Sequence, residues 1–152
     1  MNEDRYKTSG VMIKLSNALI WFRNQELGAF DLTSSQFEVV RYLLQHRDCD
    51  TTAGDLMRKL ELSQSTVAGI LKRLNGKGLI ERSTDEHDAR RDFVTLTERG
   101  IALEESLQGI AVKTEGILLQ GMNEAERAEF DRLLNIALEN MNSARGGGEQ
   151  SN

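Results

Sequence analysis

Apolar residues recur every three or four positions along most of the chain, which is the spacing of amphipathic helices. Each such segment places its apolar residues on one face, and we predict six helices from them. The six stripes are Met12, Leu15, Leu19 and Phe22; Phe37, Val40, Leu43 and Leu44; Leu56, Met57 and Leu60; Val67, Ile70, Leu71 and Leu74; Ile101, Leu103, Leu107, Ile110, Ile117 and Leu118; and Phe130, Leu133, Leu134, Ala137, Leu138 and Met141.

Polar N-cap residues mark where the helices begin. Some of them follow a leucine that can pack on the fourth helical residue, and others have an acidic or amide side chain three residues later. The predicted starts are Leu32-Thr33 with Gln36 as a capping box, Thr52 with Asp55, Leu62-Ser63, Leu96-Thr97, and Asn123 with Glu126.

One region departs from the helical spacing. Ile80 to Thr84 and Arg91 to Leu96 alternate polar and apolar side chains, as short strands do. Gly76 and Gly78 precede them and suit a helix end and a turn. Residues 85–90, between the two runs, are almost all polar. The pattern predicts a β-hairpin with a charged tip.

Residues 52–96 therefore follow the order of a winged helix-turn-helix: short helix, turn, capped helix, glycine turn and hairpin. The turn Glu61-Leu62-Ser63 is short enough to set two helices at the steep angle that lets the second enter a major groove. We predict a mostly α-helical protein with a small β wing. The winged helix-turn-helix occupies residues 32–96, with a recognition helix at about 63–75 and a wing at about 80–96.

The exposed face of the predicted recognition helix carries side chains suited to DNA. Glutamine can bind adenine through two hydrogen bonds, and hydroxyl groups can bind several base edges. A glycine lets the backbone approach, and a Lys-Arg pair one turn later can hold phosphates. Polar residues at a helix start are more often capping groups alone, and it is the surrounding unit that favours DNA. The predicted contacts on this helix are Ser63, Gln64, Ser65, Thr66, Gly69, Lys72 and Arg73.

The formal net charge of −5 argues weakly against nucleic acid until it is divided along the chain. Residues 101–152 carry nine acidic and four basic side chains, whereas residues 51–100 carry nine basic and eight acidic ones. A local patch governs binding more than the total charge does. The basic residues predicted around the recognition helix are Lys72, Arg73, Lys77, Arg82, Arg90 and Arg91.

The terminal helices, predicted in residues 1–31 and 97–145, carry more apolar surface than one small winged helix can cover. Burial against a second copy would stabilise them, which predicts a homodimer; packing within one subunit is the alternative. The two recognition helices would lie about 34 Å apart, one turn of DNA. Residues 146–152 lack apolar side chains and are expected to be disordered. The predicted dimer contacts are Met12, Leu15, Leu19, Phe130, Leu134 and Met141.

What the chain lacks narrows the class of protein. The single cysteine, Cys49, cannot form an internal disulfide, which suits a reducing compartment. The N-terminus does not resemble a secretion signal, and the longest apolar run, Ala18 to Phe22, is far too short to span a membrane. His46 and His87 are the only histidines, and neither a phosphate loop nor a metal-ligand spacing is present. We predict a cytoplasmic protein that is no enzyme, holds no metal or cofactor and binds no membrane.

Four stretches of the chain together resemble the MarR (multiple-antibiotic-resistance regulator) family in order and spacing. They are Leu62 to Val67, Lys72 to Arg82, Asp85 to Arg91, and Leu96 to Gly100. The resemblance implies a triangular homodimer whose N- and C-terminal helices interlock and whose two winged helices read a pseudo-palindromic operator in double-stranded DNA.

The predicted wing matches the family's Asp-x-Arg motif at Asp88 and Arg90. The resemblance implies that Arg90 reaches the minor groove and that Asp88 braces the wing by pairing with a neighbouring arginine; Arg91 is a further predicted DNA contact. The chain departs from the family at Glu86, where many relatives have proline, and at Ala68-Gly69, where bulkier polar residues are often seen. These departures predict a less rigid wing tip and a sequence specificity that depends more on DNA shape.

The resemblance also implies an effector, a small aromatic or lipophilic molecule in a pocket lined from the first, second and fifth helices. Aromatic residues near a helix end more often belong to the core. A redox input through Cys49 is disfavoured because Asp48 and Asp50 flank the thiol. The candidate effector contacts are Trp21, Phe22, Phe30 and Arg41.

We therefore predict a transcriptional regulator, a ligand-responsive repressor that binds a pseudo-palindromic operator as a homodimer. The alternative is a winged-helix protein-interaction module without DNA binding, which predicts no salt-dependent retention on duplex DNA.

Overall fold

A computed structural model describes residues 7–88 and 91–146, and its fold is mostly helical with one small antiparallel sheet, as predicted. The helices are α1 (Lys7–Leu27), α2 (Ser34–Gln45), α3 (Ala53–Leu60), α4 (Gln64–Gly76), α5 (Glu98–Ile101), α6 (Glu104–Leu118) and α7 (Glu124–Gly146), with a 3-10 turn at Gly28–Phe30. The strands are β1 (Ile80–Thr84) and β2 (Asp92–Leu96). The chain up to Thr114 forms one compact unit, and the chain from Glu115 onward forms a second.

Hydrogen bonds confirm the predicted helix starts. At α2, Gln36 N donates to Thr33 Oγ1 at 3.4 Å and Thr33 N donates to Gln36 Oε1 at 3.2 Å, which completes the capping box. Thr52 and Asp55 form a second box at α3. There the Thr52 N–H donates to the Asp55 carboxylate at 2.9 Å, and this bond lowers the pKa of Asp55. The other predicted N-caps that accept a backbone N–H are Ser63, Thr97 and Asn123.

The core of the first unit lies where α2, α3 and α4 meet the base of the hairpin. The stripe predicted for α4 is buried along its whole length. A buried stripe fixes the rotation of a helix about its axis, so this burial determines which side chains of α4 face solvent. Fully buried side chains of the core include Leu27, Phe37, Val40, Leu56, Val67, Leu71, Leu74, Ile80, Val94 and Leu107.

Left-handed residues make three of the tight connections. Glu61 ends α3 with φ 55°, and Leu62 N then donates to Met57 O at 3.0 Å, which gives the predicted three-residue turn before α4. Asp31 ends the 3-10 turn with φ 54°. Gly78, with φ 71°, turns the chain from α4 into β1.

The predicted fifth helix is divided in the structure. Thr97 caps its first turn as predicted, but the chain tightens at Leu103, whose N–H donates to Gly100 O at 3.3 Å, and the helix restarts at Glu104. Gly100, in the first turn, is closely packed: a β-carbon there would clash with the Leu79 carbonyl and lie 3.0 Å from Leu96 Cδ2. The first turn is therefore held against the turn that precedes β1.

The second unit contains the end of α6 and all of α7. None of the described residues of α7 is buried. The helix extends through Gly146, which the sequence had assigned to the tail, and the rest of that tail prediction lies outside the described residues. Within residues 7–88 and 91–146, no helix is long and apolar enough to cross a membrane.

Candidate nucleic-acid interface

Helix α4 faces the core with one side and solvent with the other. Val67, Ile70, Leu71 and Leu74 are buried, exactly the stripe that the sequence predicted. The opposite side exposes the polar first turn. Because the buried stripe holds the rotation of α4, these exposed groups have a fixed direction and are available to a partner.

The hydroxyl groups at the start of α4 lie close together. Ser63 Oγ accepts the Thr66 N–H at 3.2 Å and donates to Thr66 Oγ1 at 2.7 Å, while Ser65 Oγ lies 3.3 Å from Ser63 Oγ. Ser63 is therefore a capping residue first, as the simpler interpretation of the sequence held. Gln64 is exposed and makes no side-chain hydrogen bond within the described part of the chain, which leaves its amide available to a base edge.

Arg73 lies one helical turn after Gly69, and its guanidinium group is near that glycine. Arg73 Nη1 lies 4.0 Å from the position that a β-carbon on residue 69 would take. Lys72 and Arg73 are exposed, and neither forms an ion pair among the described residues. Both charges on this face are therefore uncompensated, as a phosphate-binding surface requires.

Two of the basic residues predicted around α4 have other roles in the structure. Lys77 Nζ donates to the main-chain oxygen of Asp31 and, at 3.0 Å, to Gln36 Oε1. Arg82 pairs with Asp92 on the neighbouring strand through two guanidinium nitrogens, with Nε 3.3 Å from Oδ1. The positively charged face is therefore smaller than the sequence indicated. On α4 itself, it consists of Lys72 and Arg73.

The hairpin is braced by acidic residues that sequence reasoning missed. In the register of the sheet, Thr84 lies opposite Asp92 and Arg82 opposite Val94, so Arg82 and Asp92 are diagonal neighbours on one face. This diagonal pairing follows from the register of the two predicted strands, so it could have been found from the sequence. The charge of Arg82 is therefore compensated within the sheet.

Near the tip, Asp85 takes part in a second brace. Its N–H donates to Arg91 O at 3.1 Å, and its carboxylate lies 3.9 Å from Arg91 Nη1. Asp88 O accepts the Arg91 N–H at 3.0 Å. The bracing role predicted for the Asp88 side chain stays a prediction, and Arg90 lies outside the described residues. Arg91 is exposed and faces solvent beside this turn.

Two attachments hold the hairpin to the helices. On one side, Val94 N donates to Thr51 O at 2.8 Å. On the other, Thr97 Oγ1 donates to Gly78 O at 2.6 Å and Thr97 N donates to Leu79 O at 3.0 Å. These bonds and the packing at Gly100 explain why a Leu-Thr-x-x-Gly sequence follows the wing. The base of the wing is thereby fixed next to the end of α4.

The four candidate effector contacts do not come together. Arg41 lines a cavity of about 240 Å³ between α2 and α6 and lies 3.2 Å from Glu38. Trp21 is 64% exposed, the Phe22 ring centroid lies 5.7 Å from Lys113 Nζ, and Phe30 packs against the core. None of these three aromatic residues lines the cavity. The other lining residues are Leu44, Gln45, Glu104, Leu107, Gln108 and Ala111.

Much of the apolar surface of the predicted dimer contacts is exposed to solvent in the single chain. Leu19, Phe130 and Leu134 are half-buried, and Met141 is 65% exposed. Exposed apolar residues on the two terminal helices are Val11, Met12, Ile13, Leu15, Ile20 and Trp21 of α1, and Leu133, Ile136, Leu138 and Met141 of α7.

A capped helix behind a tight turn, a solvent-facing polar side and a braced hairpin define a winged helix-turn-helix protein. The profile of the MarR family matches residues 32–91. The chain belongs to the MarR family.

Several proteins that are similar to this chain are regulators of transcription. The transcriptional repressor NicR of Pseudomonas putida is 31% identical over 103 residues, which are 68% of this chain and 64% of NicR. The chain thus matches less than two thirds of that relative's length. MepR of S. aureus, solved in complex with DNA, is 30% identical with a TM-score of 0.83 over 87% of this chain and 96% of MepR. BpsR of Bordetella bronchiseptica, whose DNA binding 6-hydroxynicotinic acid regulates, is 28% identical with a TM-score of 0.75 over 85% and 91%.

Proposed function

We propose that the protein is a transcriptional repressor that binds duplex DNA through α4 and the hairpin. The observation that carries the proposal is the solvent-facing side of α4, where the unbonded amide of Gln64 precedes the unpaired charges of Lys72 and Arg73. Groups of this kind supply base recognition and phosphate contacts in that order along a helix that enters a major groove. The similarity to MepR, which was solved bound to DNA, supports the same use of the fold.

The remaining proposed contacts rest on the position of each residue along α4 and the hairpin and, at the wing tip, on the family's Asp-x-Arg motif. Ser65 and Thr66 lie beside Gln64 and meet base edges or the nearest phosphate, and Ser63 and Gly69 allow the backbone to approach. Arg91 contacts phosphate from the base of the wing tip. Arg90 enters the minor groove, and Asp88 orients the tip.

The protein acts as a homodimer in this proposal. The exposed apolar residues of α1 and α7, among them Met12, Leu15 and Met141, gain burial against a second copy. A two-fold arrangement presents two copies of α4 to half-sites one turn apart. The cytoplasm is the proposed location of the protein, because a protein of this class has to reach its operator DNA there.

The effector is a small aromatic acid that binds in the cavity between α2 and α6. Arg41 can pair with a carboxylate, and Leu44, Leu107 and Ala111 supply apolar contacts for a ring. The cavity, at about 240 Å³, has room for a single substituted ring. The regulation of BpsR by 6-hydroxynicotinic acid supports this chemical class and supplies the first compound to test.

The decisive experiment is enrichment of duplexes from a randomised pool, followed by titration of the enriched operator and a scrambled duplex at several salt concentrations. We expect an enriched pseudo-palindrome and an affinity that falls steeply with salt. A protein that enriches nothing and shows no salt-dependent retention is the interaction module instead.

The effector is tested on the same operator. We expect 6-hydroxynicotinic acid to release the wild-type protein and to release Arg41→Met only at concentrations about tenfold higher or more, because one charge-assisted pair is lost. Arg132→Met, which removes an exposed arginine of α7 paired with Glu129, is the control and should respond as the wild type does. Equal response of both variants would move the effector away from Arg41.

A further inference from the structure

Lys77 differs from Lys72 and Arg73 because its side chain is drawn into the protein. It is 26% exposed, and its ammonium group donates to the main-chain oxygen of Asp31 and to Gln36 Oε1 at 3.0 Å. The Asp31 carboxylate lies 3.7 Å from the same nitrogen. The two hydrogen-bond acceptors precede Lys77 by 46 and 41 residues, so this contact joins the end of α4 to the junction of α1 and α2.

The acceptors at this junction are held in place independently of Lys77. Gln36 is only 3% exposed, and its Oε1 also accepts the Thr33 N–H in the capping box of α2. Asp31 has a left-handed backbone, and its N–H donates to Gly28 O at 3.1 Å. Both oxygens therefore have a fixed position relative to the end of α1 and the start of α2.

Lys77 is also rigidly joined to α4. Its N–H donates to Arg73 O at 3.0 Å and caps the helix, and the next two residues bond back to Asn75 and Leu74. The backbone of Lys77 therefore moves with the last turn of α4, and the hydrogen bonds of its ammonium group restrain that turn through the lysine side chain.

The buried stripe of α4 and the hydrogen bonds of Lys77 restrain the helix in different ways. Burial is non-directional. A hydrogen bond constrains distance and angle. The 13 residues of α4 span about 20 Å, so a tilt of about 5° around its last turn moves the first turn by about 1.7 Å. A shift of that size separates a side chain from its base edge.

We propose that Lys77 is a positioning residue for DNA recognition. It touches no DNA; it holds α4 at the tilt at which Gln64 and Ser65 meet base edges, by tying the C-terminal end of α4 to the α1–α2 junction. The inference rests on the proposed function, in which α4 binds DNA, and it assigns to Lys77 an effect on the specific complex alone.

The test compares Lys77→Met with Lys72→Met on the duplex enriched from a randomised pool and on a scrambled duplex of the same composition, each titrated at several NaCl concentrations. For Lys77→Met, we expect operator affinity to fall about tenfold, affinity for the scrambled duplex to stay within about twofold, and the salt slope to be unchanged. For Lys72→Met, we expect both affinities to fall together and the slope to decrease by about one phosphate.

Lys77→Arg retains the charge and donors, and should recover operator affinity to within about threefold of the wild type. Thermal unfolding shows whether each variant is folded; if Lys77→Met is not, Lys77→Gln, too short to reach both oxygens, takes its place with the same expected ratio.

Parallel losses on both duplexes with a shallower slope would make Lys77 a phosphate contact, and unchanged binding to both would remove its positioning role. Either result overturns the proposal while the proposed function stands. A wild-type chain that enriches no duplex overturns both.

Discussion

Helices α4 and α7 bury very different fractions of their apolar residues within the single chain. The stripe of α4 is entirely within the core, with Val67, Ile70, Leu71 and Leu74 all buried. Along Glu124–Gly146, α7 has no buried residue, and Leu133, Ile136, Leu138 and Met141 are at least 44% exposed. The stability of α4 therefore depends on one chain, and its free surface is polar. The exposed surface of α7 includes an apolar stripe, which calls for an apolar partner.

The strongest test of this difference is a cavity in the stripe of α4. Leu71→Ala should lower the free energy of unfolding by about 2–5 kcal/mol at every protein concentration, because Leu71 is fully buried within one chain. Chemical denaturation measures it. Leu133→Ala, on α7, is the matched control and should cost far less when the protein is dilute. Equal costs for the two variants would mean that α7 is as completely buried as α4.

A charge introduced on α7 tests whether its exposed apolar residues are buried in a dimer. Met141→Glu should weaken the dimer about 100-fold, because a carboxylate would be buried in an apolar interface without a partner. Sedimentation velocity over a range of concentrations reports the dissociation constant. Ala128→Glu adds the same charge on the opposite, exposed face of α7 and should leave the dimer nearly unchanged. A wild-type protein that is monomeric throughout would contradict the proposed homodimer.

On the polar side of α4, Gln64→Ala should change sequence preference without changing stability. Loss of one two-bond contact reduces discrimination at a single base pair by about 1–3 kcal/mol, whereas an exposed substitution changes unfolding by less than about 0.5 kcal/mol. Competition titrations with operators altered at one position measure the discrimination. Gln120→Ala, at an exposed glutamine outside α4, should show neither change. If every operator variant loses the same affinity for Gln64→Ala, Gln64 does not read a base.

The smallest expected effects come from one substitution that should raise folding stability and lower operator affinity. Gly69→Ala should raise stability by about 0.5–1 kcal/mol, since alanine favours a helix and the added carbon meets no atom closer than Arg73 Nη1 at 4.0 Å. It should weaken operator binding a few-fold, because the added methyl group keeps the backbone of α4 further from the DNA. Thermal melts and DNA titrations of the same sample measure both. A gain in both would show that residue 69 is not near DNA.

Local signals predicted the elements of this fold well. The caps at Thr33, Thr52 and Ser63 depend on residues three positions away, and the stripe of α4 depends on the periodicity of one helix. Such information lies within a few residues of sequence, which is why the winged helix-turn-helix could be predicted with nearly the observed boundaries. The division between α5 and α6 was missed because the apolar spacing of Ile101, Leu103 and Leu107 continues across it.

The candidate site was only partly accessible from sequence. The charges of Lys77 and Arg82 were counted with the DNA face. In the structure, Lys77 binds Gln36 of α2, and Arg82 pairs with Asp92 on the neighbouring strand. The Arg82–Asp92 pair follows from strand register and could have been found. The Lys77 contact requires the backbone of Asp31 to be left-handed and to lie next to α4, and no spacing pattern records that. Likewise, Arg41 and the three aromatic residues share no pocket, because helical position alone does not place side chains in one cavity.

The division of labour within the first turn of α4 has a consequence for how such a protein diversifies. Ser63 carries the cap, while Gln64 is exposed and unbonded within the described residues. In the proposed function, a mutation at position 64 therefore alters which operators are bound at little cost in folding free energy, whereas a β-carbon at Gly100 would clash with the Leu79 carbonyl. After a gene duplication, a copy of this chain could acquire a new set of target promoters one substitution at a time and remain folded at each step.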